Sequence, residues 1–211
     1  MAEQLSLLTS EHMSANSGPP LGPVPQPERV ELLAHHEAAH ALVCFILYGE
    51  QVIREVDLYA AEPGASSGMS TYSLLPIPIV CRPSSGVPRR GNPAPVSPEA
   101  IVDAHGILSY AGSLGEALCQ GHAIGDALPE DLLDEDQLTR FATDRQSLAR
   151  LADTVRLSRS SETFYPEYWK EAERLLRGHW HGVSVIAESL AERGALNGDR
   201  VDALLRANCQ L

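Results

Sequence analysis

His36-Glu37-Ala38-Ala39-His40 sets two imidazoles and a carboxylate in an H-E-x-x-H pattern. On a helix, residues four apart stand one turn apart on the same face, so His36 and His40 aim at one point. Two neutral imidazoles in that arrangement bind Zn²⁺, and the carboxylate between them can reach a metal-bound water. The chemistry that uses this trio is hydrolysis of a peptide bond by activated water. The pattern arises by chance in about 2% of chains this long, so its surroundings decide its weight. It lies in the first half of an apolar run from Val30 to Tyr48, whose second half is apolar nearly all round. Such a helix belongs in the middle of a domain. Two histidines and a glutamate buried there without partners would be costly, which favours a bound ion. His35 breaks the spacing and reads as a neighbour of the pair, not a ligand.

The elements that must hold this trio follow from pattern and punctuation. Pro27 sits where helices start, with Glu28 in the first turn, and Gly49 ends the run. Residues 51–59 alternate as a strand and 68–75 read as a second, with a turn over 62–67. Ser97-Pro98-Glu99 opens a helix that continues from Ile101 to Cys119 despite Gly106, Gly112 and Gly115. Each glycine costs about 1 kcal/mol relative to Ala in a helix interior, so close backbone packing must compensate. Helical patterns follow over Asp136–Leu157, Glu167–Leu176 and Val183–Leu190; Gly194 closes the last, and Asn197-Gly198-Asp199 opens a short helix through Leu205.

The 211 residues fit one domain, 28–208, after a Pro- and Gly-rich tail, 1–27, that is expected to be disordered. Within the tail, Leu5–Leu8 is a short apolar patch; within the domain, 76–98 is a Pro-rich loop with Arg89-Arg90 at a solvated tip. A formal net charge of −12 argues against nucleic acid and against an anionic membrane surface. The longest uninterrupted apolar stretch, Ala41–Tyr48, is too short to span a bilayer, and no signal peptide opens the chain. The four cysteines (Cys44, Cys81, Cys119, Cys209) show no C-x-x-C pairing and read as reduced, with Cys44 and Cys119 in the core. A soluble, cytoplasmic protein is expected.

A catalytic zinc takes three protein ligands and keeps a fourth position for water. Candidates for the third lie in the acidic stretch from Gly125 to Arg140. Four segments in order then carry a resemblance: Ala34–Val43 around the motif; the strand pair Val52–Leu58 and Gly68–Tyr72; Tyr110-Ala-Gly-Ser-Leu-Gly-Glu-Ala-Leu118; and Ala172–Trp180 through Leu190–Asp199. Spanning about residues 29–207, the set resembles the peptidase domain of the FtsH family, the zinc-dependent AAA proteases of bacteria, mitochondria and chloroplasts. The family usually has Gly where this chain has Ala39.

The resemblance implies a mainly α (α+β) domain with a small β-sheet beside the motif helix. It implies that extended substrate adds to an edge strand at about residues 52–59. It also implies an aspartate ligand at the start of the helix after the Ala-Gly segment. Glu135-Asp136-Gln-Leu-Thr-Arg-Phe-Ala142 is the nearest match, which nominates Asp136, with Asp134 in reserve and Asp144 and His122 behind them. Glu116 matches a family glutamate and reads as a structural hydrogen-bonding residue. No Walker A pattern and no membrane anchor accompany these segments. The expected protein is an ATP-independent zinc metalloendopeptidase acting on unfolded or delivered polypeptides. His36, His40 and Asp136 are its metal ligands and Glu37 its base. A homo-oligomer, or a separate adaptor or ATPase, is the partner this implies. The alternative is a catalytically silent, metal-binding interaction protein on the same fold.

Overall fold

A computed structural model describes residues 27–50, 52–58, 69–72, 97–160 and 162–209. The apolar patch at Leu5–Leu8, nearly all of the 1–27 tail and of the 76–98 loop, Arg89-Arg90 and Cys81 lie outside the described residues.

The chain is mainly helical, with a small antiparallel sheet. Helix α1 (Pro27–Tyr48) is the centre of the structure and packs against α2 (Pro98–Cys119) and α6 (Trp180–Arg193). Its middle is buried all round: every residue from His36 to Phe45 is enclosed. Burial of residues such as Leu42 and Val43 contributes about 1.5–3 kcal/mol each, which offsets enclosing the polar trio. Gly49 ends the helix at φ +89°, its N–H donating to the Phe45 carbonyl at 3.0 Å. By length and composition α1 is the one described helix apolar enough to cross a membrane, against the expectation that no stretch is long enough. Most of it is buried inside the fold.

Helix α2 starts at Ser97, whose side chain accepts from the Ala100 N–H. Its three interior glycines mark close approaches. A Cβ at Gly106 would lie 2.5 Å from the Tyr168 ring, and one at Gly115 would lie 2.6 Å from the Ala39 Cβ. After the single turn α3 (Pro129–Leu132), α4 (Glu135–Thr154) opens on a capping box in which Asp134 and Gln137 exchange bonds at 2.8 Å. Helix α5 (Pro166–Gly178) buries Tyr168, Trp169, Ala172, Leu175 and Leu176 on one face, and Trp169 packs with Tyr110, Phe141 and Phe164. Helix α6 follows across His179, and α7 (Gly198–Asn208) is capped by the Asn197 side chain.

The sheet has three strands in the order β2-β1-β3: Met69–Tyr72, Ile53–Asp57 and Ala195–Asn197. The two sequence-expected strands are present but shorter, and β3 closes the far side of β1 antiparallel to it. This corrects the expectation that residues 52–59 form an edge: β1 is central, with β2 and β3 as its outer neighbours. The register shifts between Ile53 and Glu55, so Ile53 and Val56 both face the core three residues apart. A bulge of this kind breaks the two-residue alternation on which strand recognition depends. Cys119 also departs from expectation: it is half-buried at the end of α2, whereas Cys44 and Cys209 are buried.

Candidate metal centre

His36 and His40 project from α1 towards α2, and α2 gives them room by having no side chain at Gly112. A Cβ there would lie 2.5 Å from His36 Cε1, His36 Nε2 and His40 Nε2. Each ring is fixed through its Nδ1–H. His36 donates to Glu116 Oε1 at 2.6 Å and His40 donates to the Leu108 carbonyl at 2.9 Å. With both Nδ1 atoms committed as donors, a neutral imidazole carries its lone pair on Nε2. The two Nε2 atoms stand 3.1 Å apart.

The third group is Asp144, from the middle of α4. Its Oδ2 lies 3.4 Å from each Nε2, is enclosed, and has no hydrogen-bond partner among the described residues. That spacing exceeds the roughly 2.7–2.9 Å of a charge-assisted hydrogen bond. It matches the edge of a tetrahedron, about 3.3 Å, around an ion bound at about 2.0–2.1 Å. Three acceptor atoms converging at 3.1, 3.4 and 3.4 Å repel one another unless positive charge sits among them. A proton relieves one pair at a time; a cation relieves all three. His36, His40 and Asp144 therefore fit a metal ion.

Behind His36, the fully buried Glu116 is held by Arg140, whose Nε and Nη2 donate to its two carboxylate oxygens at 2.9 and 2.5 Å. Burial works against a charged His36 imidazole, yet the Asp144 and Glu116 carboxylates outweigh it and push its pKa up to about 10. Burial likewise opposes ionisation of Glu116, but His36 and Arg140 hold its carboxyl down at about 2. Asp144 is kept well below the usual carboxylate range by the two imidazoles, against the effect of burial. His105, three residues before Leu108 on α2, has its Nδ1 enclosed without a hydrogen-bond partner among the described residues. Burial and the neighbouring His40 bring its pKa down to about 4 despite the opposing charge of Asp144. Glu37 is buried between the two histidines in the sequence of α1.

The structure thus brings together His36 and His40 but not Asp136. Asp136 sits in the exposed first turn of α4, its side chain 66% accessible, paired with Arg29 at 3.1 Å. Asp134 is occupied as the N-cap of the same helix, and His122 is exposed beyond α2. Asp144, a fallback in the sequence reading, stands where Asp136 was expected. A signal for it was present. The buried residues of α4 are Gln137, Phe141, Leu148 and Ala152, and Asp144 occupies the missing step of that stripe. Arg140, one turn before Asp144, was not singled out at all. Glu116 is a hydrogen-bonding residue, as its sequence reading has it. His35 points elsewhere and stacks on Trp180.

No family model matches the chain, and no curated protein matches its sequence.

Proposed function

We propose that the protein is a zinc-dependent endopeptidase of FtsH type, with His36, His40 and Asp144 as the metal ligands and Glu37 as the general base. The observation that carries this is the convergence of His36 Nε2, His40 Nε2 and the unpartnered Asp144 Oδ2 beside the Gly112 backbone. When bound, the ion supplies Lewis acidity, which activates water as a nucleophile and polarises the scissile carbonyl. Glu37 accepts the proton as that water attacks and passes it to the leaving amine. Glu116 and the Leu108 carbonyl hold the imidazoles in the tautomer that presents Nε2 to the ion, and Arg140 keeps Glu116 ionised and oriented.

Unfolded or delivered polypeptide is the substrate class this chemistry suits, because an extended chain can add to a sheet edge through backbone hydrogen bonds. With β1 paired on both sides, β2 is the better receiving edge: it packs against α1, the helix that carries the motif. A separate adaptor or ATPase would deliver such chains, and a homo-oligomer is the other partner this reading implies.

The test is cleavage of casein or another unfolded protein together with elemental analysis. Wild type should hold about one zinc and cleave, and a chelator should abolish cleavage. Glu37→Gln should keep the zinc and lose at least about 100-fold in rate. Equal inertness of wild type and Glu37→Gln towards a broad panel of unfolded chains would reject the peptidase in favour of a silent metal-binding protein.

A further inference from the structure

We propose that Glu31, His35 and Cys119 form a second metal site, for zinc or a similar thiol-seeking divalent ion, that ties α1 to the end of α2. A ligand atom from each of the three lies within 4.8 Å of the other two. Glu31 and His35 are one turn apart on α1 and so share a face. Cys119 reaches them from the last turn of α2 and carries a free thiol. His35 is one residue from His36, so this face of α1 is turned about 100° from the one presenting the proposed catalytic ligands. The two sites share no ligand.

The His35 ring, like the other two histidines, is fixed through its Nδ1. Its Nδ1–H donates to the Glu31 carbonyl at 2.9 Å, which leaves the lone pair on Nε2. Its face stacks on Trp180, with centroids 5.6 Å apart and planes at 20°, so the ring has little freedom to turn away. Thiolate, imidazole and carboxylate together are a donor set for Zn²⁺ rather than for Mg²⁺ or Ca²⁺. The local field is negative: after burial, the Glu31 and Glu116 carboxylates are what push the Cys119 thiol up. Arg177, which lines the adjoining hollow with Leu118 and Trp180, is held by Glu173 at 2.7 Å. Glu31 is exposed and Cys119 and His35 are half-buried, so solvent reaches the site and water can complete the shell. A metal here would brace the contact between the His35 carbonyl and Gly115, one residue from Glu116, on which the orientation of His36 depends.

The experiment is a Co²⁺ titration of the reduced, metal-stripped full-length chain, because cobalt bound to thiolate gives a near-ultraviolet charge-transfer band that nitrogen and oxygen ligands do not. Wild type should show the band. Cys119→Ser should lose it, and His35→Ala should bind the band-forming ion at least about tenfold more weakly. A His36→Ala/His40→Ala variant should keep the band while losing the other equivalent, so failure of this site and failure of the proposed catalytic site are read separately. In the unmodified chain, Zn²⁺ should slow alkylation of Cys119 by iodoacetamide, followed by mass spectrometry. Absence of the band from wild type, its survival in Cys119→Ser, or an unchanged alkylation rate would overturn the site.

Discussion

Gly112→Ala isolates the packing on which the proposed centre depends. The added methyl would sit 2.5 Å from His36 Cε1 and Nε2 and from His40 Nε2, whereas ordinary contact begins at 3.4 Å. The two rings must therefore retreat by about 0.9 Å, or α1 and α2 must part by a comparable distance. Metal–ligand distances tolerate only about 0.2 Å. Zinc affinity should fall at least about 100-fold, or about 2.7 kcal/mol. The metal-free fold should suffer much less. Overpacking costs about 1–3 kcal/mol, but Ala gains about 1 kcal/mol over Gly in a helix interior, so the net loss is about 0–2 kcal/mol. Gly178→Ala is the control, since nothing among the described residues lies within 4 Å of its would-be Cβ. Competition for zinc against a chromophoric chelator gives the affinity, and urea unfolding of stripped protein gives the stability. Wild-type affinity in Gly112→Ala, with normal unfolding of the stripped variant, would refute the placement of both imidazoles against Gly112.

Asp144→Asn should lower zinc affinity at least about 100-fold in the same competition assay, while Asp136→Ala and Asp134→Ala leave it unchanged; the opposite pattern would return the ligand to the start of α4. Arg140→Ala frees the buried Glu116 and should weaken zinc binding about tenfold without touching a ligand, so unaltered binding would argue against any role for Arg140 in orienting His36. Tyr168 donates to Asp103 Oδ1 at 2.6 Å, and burial, with the Asp103 bond adding to it, raises the phenol above its ordinary value of 10.0. The unfolded phenol ionises first as pH rises past about 10, so stability should fall from there upward and be intact below. Tyr168→Phe should cost about 1 kcal/mol at neutral pH and flatten that alkaline decline in urea titrations; an unchanged alkaline slope would count against the bond.

Most of the helices were legible because their signals are local. Pro27, Ser97, Asn197, Gly49 and Gly194 mark ends by backbone preferences that need no tertiary partner. The glycines of α2 pointed to close packing, and the structure shows what each admits: a tyrosine ring at Gly106, two imidazoles at Gly112, and the Ala39 methyl at Gly115. What sequence missed was set by partners far along the chain. β3 is three residues long and exists because β1 is there to pair with it: Leu196 sits opposite Val56, 140 residues earlier in the chain. Without β3, β1 reads as an edge. Cys119 looked like a core thiol from composition alone, yet it ends α2 at a half-buried position beside His35.

The candidate site divides along the same line. His36 and His40 are separated by one helical turn, so their convergence is a property of α1 alone and could be read from five residues. The third group comes from another helix, and its position depends on how α4 lies across α1 and α2. Resemblance favoured the acidic start of α4, but a helix start has its own use for carboxylates: Asp134 caps the backbone, and Asp136 in the first turn suits the macrodipole and pairs with Arg29. Asp144 has no such local use. It lies in the buried stripe of Phe141, Leu148 and Ala152, where an ionised side chain without compensation is expensive. Arg140, one turn earlier, directs its charge to Glu116 and not to Asp144. The carboxylate therefore lacks a cation from its own helix, and only a proton on an imidazole or a bound ion can compensate it. An ion among the three removes that conflict, and the same ion would account for the bare backbone at Gly112 and the buried ion pair behind His36.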